Sequence, residues 1–135
     1  MLGSVLNFGW SNIFAKHILM IHDLQKFCSF DFGKSVNKEL FCQSGPLDYL
    51  SLFKHIDIPI TYYISLQDNL CRPDDIMIQY NRLRSLSPSL AHVKLFDGYS
   101  HIDFTYLNHH SMITEIMKTL NGKDDHDMHD VIYID

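Results

Sequence analysis

Two runs of residues in the second half of the chain have the apolar alternation of β-strands. Residues 59–66 are rich in β-branched and aromatic side chains, with Tyr62 and Ile64 on one face and Tyr63 on the other. Residues 91–96 alternate in the same way. The first run carries no charged side chain, which is typical of a strand in a sheet that is covered on both faces.

Helical periodicity follows each predicted strand. Pro73 and the two carboxylates after it favour a helix start, because proline suits the first turn and negative charge suits the positive end of the helix dipole. Tyr80 and Leu83 continue the apolar stripe of this helix. Ile113, Ile116 and Leu120 have helical spacing in a second segment, which begins near Asn108 and ends near Gly122. The order strand, helix, strand, helix predicts parallel strands joined by a helical crossover.

Two parallel strands with two helices cannot cover both faces and both edges of the sheet. We therefore predict an α/β fold in which residues 58–120 form the β-α-β-α edge of a larger parallel sheet. Residues 1–57 show no long period and are expected to form short helices and loops. Residues 121–135 are expected to be a disordered acidic tail.

Composition, charge and cysteine spacing exclude several classes of partner and site. The chain has 135 residues, of which 46% are hydrophobic, and this suits one globular domain or part of one. A net charge of −5 without a basic cluster argues against nucleic acid as a partner. We expect no transmembrane segment and no signal peptide, because no apolar run is long enough. The spacing of the 3 cysteines fits neither a disulfide framework nor a metal knuckle, so we interpret them as incidental thiols.

An acid and a histidine follow the two predicted strands. Asp68 comes just after the first strand, and His101 comes after the second on a glycine-containing turn. Functional groups of parallel sheets lie at the carboxyl ends of the strands, and the same order places the acid and the base of a Ser-His-Asp triad in α/β-hydrolases. A turn-capping role for Asp68 and a solvated side chain for His101 are the alternatives.

The residues around this pair carry two motifs. Residues 99–104 read Tyr-Ser-His-Ile-Asp-Phe, and residues 68–76 read Asp-Asn-Leu-Cys-Arg-Pro-Asp-Asp-Ile. They resemble the Tyr-x-His-x-Asp-Phe and Asp-x-Leu-x-x-Pro-x-Asp-Val segments of the acid lipase family of α/β-hydrolases. Upstream, residues 30–33 with Asn37 resemble the Phe-Asp-Tyr-Gly segment and the asparagine of the same family. The resemblance extends over roughly residues 18–120.

The resemblance implies a serine hydrolase that cleaves lipid esters, triacylglycerols or steryl esters, at a lipid interface without a cofactor. Asp68 matches the catalytic acid and His101 the general base. Tyr99, Asp103 and Phe104 match positions that support the histidine loop. Residues 1–57 would then be the end of the cap, where four aromatics either line an acyl pocket or simply pack: Phe27, Phe30, Phe32 and Phe41.

The chain departs from this family in one essential respect, since it contains no Gly-x-Ser-x-Gly. The closest string is Gly9-Trp10-Ser11-Asn12-Ile13, which lacks the second glycine and follows no predicted strand. The expected partner is therefore the missing N-terminal part of the hydrolase core, and we predict that this chain alone does not hydrolyse esters. Two alternatives stay open: a related serine hydrolase of smaller esters or peptides, and a non-catalytic remnant that acts as an interaction or lipid-binding module.

Histidines and carboxylates also cluster in residues 124–130, where they suggest a metal site. No apolar pattern organises this segment, so a tail is the better interpretation. His109 and His110 are adjacent and would not face one site on a helix. We predict no metal site.

Overall fold

A computed structural model describes residues 11–106, 110–123 and 130–132 of the chain. The chain divides into two compact units, residues 1–52 and residues 53–135. The division lies a few residues before the boundary predicted at residue 57. No helix in the described ranges is both long enough and apolar enough to cross a membrane.

The first unit contains short helices joined by irregular segments. Its helices are α1 (Asn12–Leu24), α2 (Lys34–Phe41) and α3 (Tyr49–Leu52). Helix α1 begins at Ser11, whose Oγ accepts a hydrogen bond from the backbone N–H of Phe14 at 3.2 Å. Gly33 precedes α2 with a φ of +88°, a conformation that favours glycine.

A buried asparagine organises the turn before α2. Asn37 Nδ2 donates to Asp31 Oδ1 at 2.7 Å, and Asn37 Oδ1 accepts from the backbone N–H of Phe32 at 3.0 Å. Asp31 Oδ1 also accepts from the N–H of Gly33 at 2.8 Å. The Gly33 and Asn37 hydrogen bonds lower the pKa of Asp31. The aspartate, glycine and asparagine of the upstream motif thus form one hydrogen-bonded turn.

The second unit contains a parallel sheet with a helical crossover, as the pattern predicts. Strand β1 (Ile60–Ser65) pairs in parallel with β2 (Ala91–Phe96), from Ile60 opposite Ala91 to Ser65 opposite Phe96. Helix α4 (Pro73–Leu86) connects them, with Pro73 in its first turn. Short 3-10 helices at Phe53–His55 and Pro88–Leu90 precede the two strands.

A third strand lies near the end of the chain, within the segment expected to be an acidic tail. Residues Asp130–Ile132 form β3, which pairs in parallel with the second half of β2, Leu95 lying opposite Val131. This strand supplies backbone partners to the edge of β2 that β1 leaves open. Helices α5 (Asp103–Tyr106) and α6 (His110–Leu120) come before it. Asn108, His109 and residues 124–129 lie outside the described residues.

Apolar side chains cover both faces of the sheet, as expected for a strand with little charge. One cluster joins α4 to the strands and contains Ile64, Tyr80, Leu83, Ala91 and Val93. The other joins α6 to the second strand and the loop after it, and contains Phe96, Tyr99 and Met112. The sheet therefore lies between α4 and α6, and its carboxyl-terminal edge is held by packing on both sides.

An ion pair lies within the α6 side of this packing. Lys94 of β2 donates to Glu115 of α6 at 2.8 Å, and their side chains are only 8% and 15% exposed. Glu115 also accepts from Lys118. Burial raises the pKa of Glu115, but the hydrogen bonds from Lys118 and Lys94 outweigh burial and lower it.

We predict that Glu115→Gln lowers the free energy of unfolding by on the order of 2 kcal/mol, because the neutral amide removes the carboxylate charge from this largely buried ion pair. The measurement is urea unfolding at neutral pH. Glu39→Gln, at an exposed position of α2, is the matched control and should unfold like the wild type. Equal midpoints for the two variants would contradict the prediction.

Candidate acid–base site

Asp68 lies in the turn that leaves β1. The Asp68 N–H donates to the carbonyl of Ser65 at 3.4 Å, so the chain turns directly at the strand end. Asp68 Oδ1 accepts from the backbone N–H groups of Leu70 and Cys71, each at 2.8 Å. The side chain is 6% exposed. The capping role considered for this aspartate is therefore real, but it uses only one carboxylate oxygen.

His101 lies in the loop after β2, and that loop is anchored at both ends. Ser65 Oγ, at the end of β1, donates to the carbonyl of Tyr99. Beyond it, the N–H and the Oγ of Ser100 donate to Asp103 Oδ2 at 2.6 and 2.7 Å. The Asp103 carboxylate, in the first turn of α5, thus holds the residue just before His101.

Aromatic packing also holds this loop in place. The ring of Tyr99 is buried, contacts Phe96 at a centroid distance of 5.4 Å and stacks on Phe104 at 6.0 Å. The hydroxyl of Tyr99 lies 2.8 Å from the Oγ of Ser111 on α6. Tyr99, Asp103 and Phe104 thus make contacts within the segment that carries His101, and their supporting role stays a prediction from the motif.

The second carboxylate oxygen of Asp68 contacts the histidine. His101 Nδ1 and Asp68 Oδ2 are 2.8 Å apart. The His101 side chain is 42% exposed, whereas Asp68 is nearly inaccessible. Within the described part of the chain, no hydrogen-bond partner reaches His101 Nε2. A buried acid behind an exposed imidazole is the arrangement in which a histidine accepts protons at Nε2.

The electrostatic environment keeps Asp68 ionised. Burial by itself raises the pKa of Asp68, but the hydrogen bonds from the Cys71 N–H, the His101 ring and the Leu70 N–H outweigh burial and lower it. A second link joins the two loops, since Gln67 Nε2 donates to Asp97 Oδ1 at 3.1 Å. The carboxylate is therefore charged at neutral pH and held in place.

Cys71 is a neighbour of this pair that the sequence interpretation missed. Its Sγ, a carboxylate oxygen of Asp68 and a ring nitrogen of His101 all lie within 4.8 Å of one another. Partial burial, followed by the charges of Asp68 and Asp75, raises the pKa of the thiol. The position of Cys71 three residues after an acid was visible in the sequence, but only the loop after β2 brings the histidine to it.

Ser11, from the string closest to a Gly-x-Ser-x-Gly elbow, has a helix-capping position. Ser11 is the N-cap of α1 and belongs to the first unit, while Gly9 and Trp10 lie outside the described residues. Among the first-unit aromatics, Phe27 packs on Tyr49 and Phe30 packs on Phe32. Phe30 also lines an open apolar groove with Leu19, Met20 and Leu24.

Comparisons with protein-family models, curated proteins and solved structures give no match for this chain. The family resemblance therefore stays a prediction that depends on the motifs themselves.

We predict that Asp68→Ala lowers the free energy of unfolding by about 1–2 kcal/mol, because it removes the acceptor for two backbone N–H groups. Asp68→Asn keeps an acceptor oxygen and should cost less. Because folding lowers the pKa of Asp68, its ionised form stabilises the wild type above the ordinary pKa of an aspartate, and that stabilisation is lost as the pH falls through the lowered value.

The measurement is urea unfolding of the wild type and both variants between pH 3 and pH 7. The pH dependence in the acid range should be weaker for Asp68→Asn than for the wild type. Asp57→Asn changes an exposed aspartate of the same unit and is the control, which should keep the wild-type pH dependence. Parallel stability curves for Asp68→Asn and the wild type would show that the carboxylate charge does not contribute.

Proposed function

We propose that Asp68 and His101 are the acid and the general base of a serine hydrolase with an α/β-hydrolase fold, which cleaves carboxylic esters of lipids. The observation that carries this proposal is the 2.8 Å contact between His101 Nδ1 and the buried Asp68 Oδ2. The two residues also lie in the loops that leave the carboxyl ends of adjacent parallel strands, where open α/β sheets hold their ligands.

The proposal gives a distinct role to each atom of the pair. With its proton on Nδ1 bonded to Asp68, the neutral imidazole has its lone pair on Nε2. Nε2 accepts the proton of a serine hydroxyl as the hydroxyl oxygen attacks the ester carbonyl. Asp68 then stabilises the imidazolium, which returns the proton to the departing alcohol. A second cycle with water in place of the serine releases the fatty acid.

The nucleophile in this proposal comes from a Gly-x-Ser-x-Gly elbow outside the 135 residues. Within the described part of the chain, β1 is paired only with β2, so its other edge is available to further parallel strands. The preference for lipid esters rests on the motif resemblance around Asp68 and His101. A hydrolase of smaller esters or of peptides would use the same pair, because the pocket that selects the acyl group is not built by these two loops.

We predict that the endogenous protein containing this chain hydrolyses emulsified triacylglycerols or steryl esters, and that His101→Gln lowers its turnover by about 10³- to 10⁴-fold. Glutamine cannot accept a proton at neutral pH. The measurement is the turnover of the purified endogenous product and its variants, together with the mass of that product and the sequence preceding residue 1.

His55→Gln is the matched control, because His55 is exposed on the 3-10 helix before β1. It should keep wild-type turnover, whereas Asp68→Asn should lose most of it. Equal activity of His101→Gln and the wild type would overturn the proposal. An endogenous product without a serine elbow and without esterase activity would instead favour the non-catalytic module.

A further inference from the structure

Three side chains of different chemistry meet at the carboxyl ends of β1 and β2. A carboxylate oxygen of Asp68, the Sγ of Cys71 and a ring nitrogen of His101 lie within 4.8 Å of one another. Two of them come from one turn, and the third comes from the loop after the neighbouring strand. The catalytic proposal uses Asp68 and His101 and leaves the thiol without a role.

We propose that Asp68, Cys71 and His101 bind Zn²⁺, and that the bound ion blocks the base at His101. The binding site stands on geometry alone. The inhibitory role rests on the proposed hydrolase function.

The donor set selects the class of metal. Thiolate sulfur, imidazole nitrogen and carboxylate oxygen are the donors that Zn²⁺ takes in proteins, whereas Ca²⁺ and Mg²⁺ prefer oxygen alone. Donor atoms around tetrahedral zinc are about 3.5 Å apart, given metal–ligand bonds of about 2.0–2.3 Å. The Cys71 side chain is exposed and can rotate to close the remaining distance. Three protein donors leave a fourth position for water.

The surroundings of the three donors favour a cation. Asp68 is ionised, and the charge of Asp75 also acts on the Cys71 thiol. The backbone N–H groups of Leu70 and Cys71 hold Asp68 Oδ1 and so orient the other oxygen towards His101, as outer hydrogen bonds do for metal-binding carboxylates.

Bound zinc would inhibit ester hydrolysis because it prevents His101 from accepting a proton. Binding releases the proton of the Cys71 thiol to solvent, and the thiolate becomes a ligand. If the metal takes Nδ1 of neutral His101, the imidazole keeps its proton on Nε2; if it takes Nε2, the metal occupies that lone pair. In both cases Nε2 can no longer accept a proton from a nucleophile.

Metal titration of the full 135-residue chain tests the site without any need for catalysis. We expect the chain to bind Co²⁺ with the charge-transfer absorption of a cobalt–thiolate bond, and Zn²⁺ to displace the cobalt. Cys71→Ser should abolish the absorption and weaken Zn²⁺ binding by at least about 100-fold, since loss of a ligand costs more than loss of an outer hydrogen bond. His101→Gln should weaken binding as well.

Three controls separate this site from other donors. Cys42→Ser removes an exposed thiol in the first unit and should leave the absorption unchanged. The double variant His126→Gln/His129→Gln removes tail histidines and should also leave it unchanged. Circular dichroism should match the wild type for Cys71→Ser, which changes one exposed side chain. Absorption that is absent from the wild type, or that survives Cys71→Ser, would overturn the proposal.

The inhibitory role is measured on the endogenous product. Zn²⁺ should inhibit ester hydrolysis by the wild type, whereas the activity that Cys71→Ser retains should be insensitive to the same Zn²⁺ concentration. Thiolate-dependent zinc binding without any esterase activity would overturn the hydrolase proposal but leave the site standing. Esterase activity that depends on His101 and is insensitive to Zn²⁺ would overturn the inhibitory role and leave the hydrolase proposal standing.

Discussion

The parallel pairing of β1 and β2 is the constraint on which the second unit depends. Because Ser65 lies opposite Phe96, both strands end at the same level, and the loops that follow them leave from neighbouring points. A shift of the register by one residue would exchange the two faces of a strand and separate the ends. The connection through α4 is the crossover that parallel strands require, since a tight hairpin could join only antiparallel strands.

Packing and hydrogen bonds at this shared edge fix the positions of two side chains, Asp68 and His101. Ser65 at the end of β1 binds the carbonyl of Tyr99, so the first strand directly positions the loop of the second. The ring of Tyr99 fills the space between that loop and α6. The loop after β2 is held by the core, and the Asp68 turn is held by hydrogen bonds from its own N–H groups. The carboxylate and the imidazole are therefore in contact without any rearrangement.

One set of atoms at this edge suits two kinds of chemistry. An Asp–His hydrogen bond orients an imidazole for proton transfer, and in our proposal the same donors bind zinc together with the nearby thiol of Cys71. The two proposed uses compete, because neutral His101 has a single ring-nitrogen lone pair to give to a proton or to a metal. The exposure of the imidazole and of Cys71 makes the edge accessible to a substrate as well as to an ion.

The local elements of the second unit were predictable from the sequence, because strand alternation in 59–66, proline and carboxylates at the start of α4 and the i, i+4, i+7 stripe each act within a few residues. The sequence also determined that Asp68 and His101 follow adjacent strands. Three long-range contacts were decided only by the tertiary structure. They are the pairing of β3 with β2, the buried Lys94–Glu115 ion pair and the approach of Cys71 to His101. Each of these joins residues from different elements, and a linear pattern carries no information on such distances.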